Sequence, residues 1–500
     1  MTASPATTSR YETVIGLEVH VQLLTERKMF CDCSAAYADA PPNTHVCPVC
    51  MALPGTLPVI NRRAVELTIA TALALNCEIP AFSKFDRKNY PYPDLLKGYQ
   101  ISQYDLPFSR NGWIEVEVPG QPPRRVGITR AHLEEDTARL THRTDPATGE
   151  GYSLIDMNRS GVPLMEIVSE PDMRSPEEAK AYLVKLRQIL RYAGVSKANM
   201  EEGNFRCDAN ISLRPFGSSE YGAKVEIKNM NSFDAVERAL RSEVERQTAL
   251  LDRGERVVQE TRGWVDAEGR TASQRSKEEA HDYRYFPEPD LPPVTPEPAW
   301  VESIRASLPE LPDAKVARFE REYALSRYEA ELLTETQARA DYYERAVAAA
   351  AAAGSMRARY AKQVANWMLN DFARLLHASA IDVSQAKISP EALSDMIRLV
   401  EEGKVTGTAA KTVFEEMFET GKAPAVIVRE RGLQQLNAPD ELATVADEVI
   451  AANPKAVADY HAGKQEAIKF LVGQAMRATR GRANAATLTE VLKSRLEAKA

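Results

Sequence analysis

One stretch of the chain, Leu154–Asp172, places charged side chains inside a run that otherwise has the apolar composition of buried strands. It carries Arg159, Glu166 and a Gly-x-Pro turn among leucine, isoleucine, valine and methionine. An unpaired charge is costly to bury, so a strand that only filled a core would not contain so many. For this segment alone, a strand pair whose charges face water is the better explanation. Similar segments at Ile15–Leu23 and Val126–Asp136 weaken it.

The segment Ile15–Leu23 alternates between apolar and polar residues with the two-residue period of a strand. Its odd-numbered positions are apolar, whereas Glu18 and His20 fall on the other face. The pattern therefore predicts a strand with one buried face and one polar face.

A second strand pair is predicted at Trp113–Val118 and Arg125–Thr129, joined by a proline- and glycine-containing turn. This hairpin leads into a run that contains His132, Glu134 and Glu135. A sheet face with histidine and several glutamates from different strands is typical of a site for a hard cation such as Mg²⁺, often completed by a nucleotide phosphate. The alternative is a solvated face with ordinary ion pairs.

Length and composition indicate a globular chain of several domains. Five hundred residues exceed one hydrophobic core and imply two to four domains. A net charge of −8 excludes a generally basic surface, so any nucleic acid must bind a local patch. The apolar runs are too short for a membrane span, and residues 1–10 lack the apolar core of a secretory signal. We expect a disordered leader over 1–10 and a cytoplasmic location.

Four of the six cysteines lie within twenty residues, at Cys31, Cys33, Cys47 and Cys50. Paired cysteines joined by a short connector can close around zinc, and disulfides are rare in the cytoplasm. We therefore predict a structural zinc loop over 31–50. The other two cysteines have the surroundings of packing residues.

The pattern along the chain predicts an α+β domain followed by helices. Hairpins with a mostly antiparallel sheet and a few long helices fill residues 11–295. Six prolines within residues 287–298 mark a change in composition, and strand patterns nearly disappear beyond them. We place a helical domain at 296–385 and a C-terminal helical domain at 386–500.

The last forty residues contain eight lysines and arginines against three glutamates. This excess stands out in an acidic chain, and the turn around Arg477, Arg480 and Arg482, together with Lys469, resembles a patch that binds phosphates. On charge alone, a solvated helix end is the better explanation.

The sequence contains neither a G-x-x-x-x-G-K-[ST] nor a G-x-G-x-x-G motif. If ATP binds, a metal and basic side chains must hold its phosphates. The cationic candidates are Lys84, Arg87, Lys88, Arg159, Arg206 and Lys228. The sequence also lacks the context of an amidase nucleophile.

Several long motifs together resemble the B subunits of GatCAB-type aspartyl/glutamyl-tRNA amidotransferases. The resemblance covers the chain from Tyr11 onward. The motifs are GLEVHVQL, SKFDRKNYPYPDLLKGYQISQYDLP, GITRAHLEED, DMNRSGVPLMEIVSEPD, MEEGNFRCDANISLRP, EIKNMNSF, RSKEEAHDYRYFPEPDLPP and FLVGQAMRATRGRAN.

This resemblance implies a catalytic cradle domain with a glutamine synthetase-like fold, then helical and tRNA-binding tail domains. It implies a carbon–nitrogen ligase that uses ATP and Mg²⁺ to phosphorylate the side-chain carboxylate of glutamyl-tRNA(Gln), aspartyl-tRNA(Asn) or both. Ammonia from an amidase (A) subunit would then replace the phosphate. A small C subunit and the misacylated tRNA complete the expected partners.

By position in the motifs, the resemblance assigns Mg²⁺ binding to His20, Glu135 and Glu166. Glu18 would orient His20 or line the ammonia exit. Glu134 lies beside Glu135 and would point the other way on a strand; we favour Glu135. The resemblance also favours tRNA binding by the basic tail.

Two other functions are compatible with parts of the pattern. A catalytically silent tRNA-binding scaffold for the amidase would share the basic tail but not ATP hydrolysis that depends on the acidic sheet face. A zinc hydrolase is disfavoured because four thiolates saturate zinc and leave no position for water.

Overall fold

The computed structural model describes residues 10–276, 283–351, 357–436, 439–464, 466–479 and 481–498. The expected leader lies outside this part of the chain except for Arg10. Backbone contacts divide the chain into two compact units, residues 1–311 and 312–500.

The first unit contains all thirteen strands of the described residues. They are β1 (Tyr11–Gln22), β2 (Asp86–Asn89), β3 (Tyr99–Ser102), β4 (Ser109–Val116), β5 (Arg124–Glu135), β6 (Arg139–Thr144), β7 (Gly151–Asp156), β8 (Pro163–Ser169), β9 (Phe205–Pro215), β10 (Val225–Lys228), β11 (Glu260–Val265), β12 (Arg270–Ser276) and β13 (Phe286–Pro287). Its helices are α1 (Arg62–Ala74), α2 (Pro176–Tyr192), α3 (Phe233–Asp252) and α4 (Pro298–Ser307).

An eight-stranded sheet with the order β12-β11-β10-β9-β1-β8-β5-β4 organises this unit. Its strands pair antiparallel except β10 and β11, which are parallel. The predicted α+β class with a mostly antiparallel sheet is confirmed here. The glutamine synthetase-like fold stays a prediction.

One face of the sheet is buried under helices, and the alternation of β1 decides which face that is. Ile15, Leu17 and Val19 are at most 1% exposed and share a core with residues of α1, α2 and α3. Glu18 and His20 lie on the opposite face and stay partly accessible. The helices therefore leave the polar face of β1 open for chemistry, as the alternation predicts.

Two smaller sheets complete the unit, with orders β13-β2-β3 and β6-β7. The expectation that the apolar residues of Leu154–Asp172 belong to buried strands is wrong for the first part of the segment. Leu154 on β7 is 54% exposed, whereas β8 is almost entirely buried. The reason is topological: β7 pairs with β6 in a two-stranded ribbon, while β8 lies between β1 and β5 in the large sheet.

The loop that carries the four cysteines is held against the turn between β7 and β8. Asn158, which is fully buried, accepts a hydrogen bond from the His45 amide at 2.7 Å and donates one to the Pro41 carbonyl at 2.8 Å. The Asn43 side chain accepts a hydrogen bond from the Met157 amide at 2.7 Å. These amide contacts join two segments that are more than a hundred residues apart in sequence.

The described part of the second unit is helical. Its α-helices are α5 (Pro312–Tyr323), α6 (Arg327–Leu333), α7 (Gln337–Ala351), α8 (Arg357–Trp367), α9 (Ala373–Ser379), α10 (Pro390–Glu401), α11 (Gly407–Thr420), α12 (Pro424–Glu430), α13 (Pro439–Ala452), α14 (Pro454–His461), α15 (Glu466–Ala478) and α16 (Ala485–Glu497). None of the described helices is long and apolar enough to span a bilayer.

The predicted domain boundaries differ from the observed packing. The proline run suggested a boundary at 295, but Ile304 of α4 packs in the core of the first unit, whose contacts extend to Leu311. In the second unit one apolar cluster includes residues from Val316 to Val428. The predicted boundary at residue 385 therefore falls inside one hydrophobic core. A separate cluster joins residues from Leu442 to Leu496.

Replacing Asn158 with alanine should destabilise the first unit by about 1–3 kcal/mol, because the fully buried Asn158 side chain is lost and the His45 amide and the Pro41 carbonyl lose their hydrogen-bond partner. Chemical unfolding followed by tryptophan fluorescence would measure the change. Asn231→Ala, at an exposed position of the same unit, is the matched control. Equal unfolding midpoints for the two variants would contradict the inference that Asn158 holds the cysteine loop against the turn before β8.

Candidate functional site

Four side chains form a row across the open face of the large sheet because their residues are directly opposite on neighbouring strands. Arg206 on β9 lies opposite His20 on β1, which lies opposite Glu166 on β8. Glu166 in turn lies opposite His132 on β5. Opposed residues project from the same face of a sheet, as does Glu134, two residues after His132. Five polar side chains from four strands therefore converge.

His20, Glu134 and Glu166 form what we call the carboxylate–histidine group. The His20 Nε2 atom is 3.7 Å from a Glu134 oxygen and 3.6 Å from a Glu166 oxygen. One donor atom from each of the three residues lies within 4.8 Å of the others. Both glutamates are buried, whereas His20 keeps part of its ring accessible. The group therefore has buried ligands and an open side.

His132 contacts both glutamates of the carboxylate–histidine group. Its Nε2 atom is 3.2 Å from Glu166 and 3.7 Å from Glu134. Burial alone would lower the pKa of His132, but the facing charges of Glu166 and Glu134 outweigh it and raise that pKa. Burial would likewise raise the pKa of Glu166, yet the neighbouring histidines and Lys88 hold it well below its usual range. Both carboxylates are thus kept ionised.

This donor set fits a hard divalent cation. Two ionised carboxylates and an imidazole supply oxygen and nitrogen ligands, and the remaining positions are open to water or phosphate. The side-chain hydroxyl of Ser102 donates to the second Glu134 oxygen at 3.1 Å and so fixes that carboxylate. The residues present therefore fit Mg²⁺ without rearrangement of the strands.

Glu135, which the motif resemblance favoured as the ligand, does not join this group. Its carboxylate bonds Lys97 and accepts the Ile101 backbone N–H at 3.1 Å, on the other side of β5. Glu134 instead lies beside His20 and Glu166, in the position where the motifs had placed Glu135. The signal was available in the two-residue period, since Glu134 shares a face with His132 and Glu135 does not.

Glu18 belongs to a second polar row, one step along the same strands. It accepts a hydrogen bond from the Asn210 side chain at 2.8 Å and lies opposite Asp208 on β9. Lys228 on β10 bonds Asp208 at 2.5 Å and lies 3.1 Å from Glu226. A continuous chain of charged and amide groups therefore crosses β1, β9 and β10 beside the carboxylate–histidine group.

The six predicted phosphate-binding cations divide into two sets. Lys84 is paired with Asp86 and Asp105. Arg87 makes two hydrogen bonds to Glu288, at 2.7 and 2.8 Å. The Arg159 guanidinium donates to two backbone carbonyls, each at 2.9 Å. Partners within the fold occupy these three cations, as Asp208 and Glu226 occupy Lys228, which leaves Lys88 and Arg206.

The two remaining cations border the carboxylate–histidine group. Burial would lower the pKa of Lys88, but the charges of Glu134 and Glu166, with two tyrosines, raise it. Arg206 donates to buried Asp136 at 3.1 Å, yet 39% of its side chain stays exposed. Lys88 and Arg206 are therefore charged and close to the place where an anion would meet the cation.

The four cysteines form a compact group, with one sulfur from each within 4.8 Å of the others. Thiolates about 2.3 Å from a tetrahedral zinc are about 3.8 Å from one another. The Cys47 and Cys50 sulfurs are 3.9 Å apart. A hydrogen bond from Cys31, aided by the Cys47 amide and by Lys28, lowers the pKa of Cys50 to about 4. The residues fit zinc.

The cations of the basic tail differ in how far their own contacts occupy them. Arg477 on α15 is exposed, and Lys469 pairs with Glu466 at 2.9 Å. Arg482 donates to the carbonyls of Thr479 and Gly432 at 3.1 and 3.4 Å. Arg480 lies outside the described residues. Arg477 is thus the clearest of the described candidates for an external anion.

Comparison with known proteins accounts for both units. Residues 13–302 match the model of the GatB/GatE catalytic domain, and residues 341–496 match the model of the GatB domain. The chain is 55% identical over 486 residues to the B subunit of the aspartyl/glutamyl-tRNA(Asn/Gln) amidotransferase of Carboxydothermus hydrogenoformans, covering 97% of this chain and 99% of that protein. The protein of the same name from Thermomicrobium roseum is 56% identical over 487 residues, with 97% and 99% covered.

A third relative, the corresponding B subunit of Dehalococcoides mccartyi, is 55% identical over 491 residues, which are 98% of this chain and 99% of the relative. Matches of this length leave little of either protein unaligned. The chain therefore belongs to the GatB/GatE family of amidotransferase B subunits.

Proposed function

We propose that this chain activates the side-chain carboxylate of a misacylated tRNA with ATP and then amidates it. The substrates would be glutamyl-tRNA(Gln), aspartyl-tRNA(Asn) or both. The observation that carries this proposal is the carboxylate–histidine group, which offers a cation site on the open face of a sheet, bordered by Lys88 and Arg206. A purely tRNA-binding scaffold would have no need of two buried, ionised carboxylates there.

The chemistry follows from the residues. A carboxylate is a poor electrophile, and phosphorylation gives it a leaving group. Transfer of a phosphoryl group requires mainly positioning and neutralisation of charge. His20, Glu134 and Glu166 would hold Mg²⁺, which supplies that neutralisation when it is bound. Lys88 and Arg206 would bind phosphate oxygens directly, and His132 keeps Glu166 oriented.

The polar row from Glu18 to Lys228 suits the delivery of ammonia. A small polar molecule moves past groups that donate and accept hydrogen bonds, and Glu18, Asn210, Asp208 and Lys228 provide them in sequence. We propose that an amidase (A) subunit supplies the ammonia and that a small C subunit completes a cytoplasmic complex.

Replacing Glu134 or Glu166 with glutamine should reduce tRNA-dependent ATP hydrolysis and amidation about 100- to 1000-fold, because one charged oxygen ligand is lost at the site of developing charge. The fold, tRNA binding and basal glutamine hydrolysis by the partner amidase should persist. Activities of the reconstituted complex at saturating Mg²⁺ would measure this.

Glu135→Gln is the matched control, since its carboxylate bonds Lys97 on the other side of the strand. That variant should retain most of its activity. If Glu135→Gln is inactive while Glu134→Gln is active, the cation lies on the opposite side of β5. If all three variants amidate normally, the scaffold function becomes the better proposal.

Substituting Arg477 with alanine should weaken tRNA binding and reduce the slope of log K against log salt by roughly 0.7–0.9, the value of one lost phosphate contact. Lys411→Ala, which removes another exposed cation of the same unit, is the control. Filter-binding titrations at several salt concentrations would compare them. Identical slopes for Arg477→Ala and the unmodified protein would exclude Arg477 from the tRNA surface.

The cysteine group should hold one zinc ion per chain in protein purified without added metal. Cys50→Ser should lose the metal and lower the thermal midpoint, because structural zinc contributes directly to folding. Cys77→Ala should keep it, since Cys77 lies outside the group. Elemental analysis that finds no zinc, with all four thiols titratable, would refute this site.

A further inference from the structure

Four tyrosines form an aromatic cluster that the proposed chemistry does not use. The rings of Tyr104 and Tyr285 are stacked, with centroids 4.4 Å apart and planes 11° from parallel. Tyr283 meets Tyr285 edge-on at 6.1 Å and meets Tyr90 edge-on at 5.7 Å. We call these four residues the tyrosine cluster. It joins two segments almost two hundred residues apart in the chain, which local packing alone would not require.

The tyrosine cluster borders the carboxylate–histidine group through Lys88. The Lys88 ammonium is 5.0 Å from the centre of the Tyr283 ring. Lys88 lies opposite Gln100 on β3, and Ser102, on the same face of β3, donates to Glu134. Burial, together with the charges of Glu134 and Glu166, raises the pKa of Tyr285 to about 12 despite Lys88. The rings are therefore within electrostatic range of the proposed cation site.

The backbone between two of these tyrosines is held in an uncommon conformation. Arg284 has a φ of +42°, in the left-handed region that side chains other than glycine rarely adopt. Asn89, the residue after Lys88, fixes this turn. Its backbone N–H donates to the Tyr283 carbonyl at 2.9 Å, and its side-chain amide donates to the Arg284 carbonyl at 2.9 Å. Such strain persists where the surroundings impose it, and it is concentrated at functional sites.

The outer ring of the stack is accessible. Tyr104 is 55% exposed although Tyr285 covers one of its faces. The backbone of Tyr104 is held in place, because its N–H donates a hydrogen bond to the carboxylate of buried Asp86 at 3.0 Å. A rigid aromatic ring with one open face binds a flat heteroaromatic ring by stacking, whatever its hydrogen-bonding edge. With cationic Lys88 and a cation site alongside, the ligand that combines a flat base with phosphates is a nucleotide.

We propose that the Tyr104–Tyr285 stack binds the purine ring of the ATP whose phosphates reach the carboxylate–histidine group. This inference rests on the proposed use of ATP at that group. Tyr104 makes the contact, Tyr285 supports it from behind, and the turn held by Asn89 keeps Tyr283 and Tyr285 in place. The phosphates then extend past Lys88 toward His20, Glu134 and Glu166.

The test compares Tyr104→Ala and Tyr104→Phe in the complete complex. Tyr104→Ala should weaken ATP binding and raise the KM for ATP about 10-fold, within the range for loss of one aromatic stacking contact. Tyr104→Phe keeps the ring and should restore both values. Inorganic triphosphate, a competitor without a base, should inhibit the unmodified complex and Tyr104→Ala equally. Tyr152→Ala, another exposed tyrosine of the first unit, is the control.

The outcomes separate this proposal from the one on which it rests. If neither ATP nor triphosphate binds the unmodified complex, the proposed ATP site itself is wrong. If both bind and Tyr104→Ala changes neither, the stack is a packing element and the present proposal fails. It also fails if Tyr104→Ala leaves ATP unaffected but weakens binding only of tRNA that keeps its 3′-terminal adenosine, because the stack would then receive that base.

Discussion

The pairing register of β1 with β8 and of β8 with β5 is the constraint on which the site depends. In this register His20, Glu166 and His132 are opposite one another, and Arg206 follows on β9. A shift of one residue would turn every polar side chain of a strand toward the helices and every apolar one toward water. The buried apolar side chains of these strands thus fix the positions of the polar ones, although the two sets lie on opposite faces.

The same face shows how buried carboxylates can remain charged. Glu134 and Glu166 are close to each other, which by itself would favour protonation of one of them. His132, His20 and Lys88 surround them and reverse that tendency. Positive charge at the site therefore has two uses: part of it holds the carboxylates ionised, and part of it, on Arg206, stays partly exposed for a ligand.

Local sequence patterns predicted a strand at Ile15–Leu23 and its polar face, and the motif resemblance placed His20 and Glu166, which the structure brings within 3.6 Å, in one site. The motifs favoured Glu135, although the two-residue period already places Glu134 on the face of His132 and Glu135 on the other face. Which of the two faces carries the site becomes clear only from the pairing of β5 with β8, about thirty residues away. The six cations could not be ranked for a similar reason. Arg87, for example, is bound by Glu288, which is 201 residues away in the chain. Leu154 was expected to be buried from its neighbours, but only the topology shows that β6 and β7 form a ribbon without a covering layer.

The hydrogen bonds of Asn43 and Asn158, which hold the cysteine loop against the turn before β8, have a consequence for the role of the cysteines. Asn43 and Asn158 position the loop through hydrogen bonds that involve no sulfur, and the Lys28 ammonium donates a further, partly buried hydrogen bond to the His45 carbonyl at 2.8 Å. Two independent sets of groups, the cysteine thiols and the amide hydrogen bonds, therefore hold the loop in its path. Because the amide contacts involve neither thiol nor zinc, the strand that carries Glu166 should keep its place after zinc is lost, even where the loop as a whole becomes less stable.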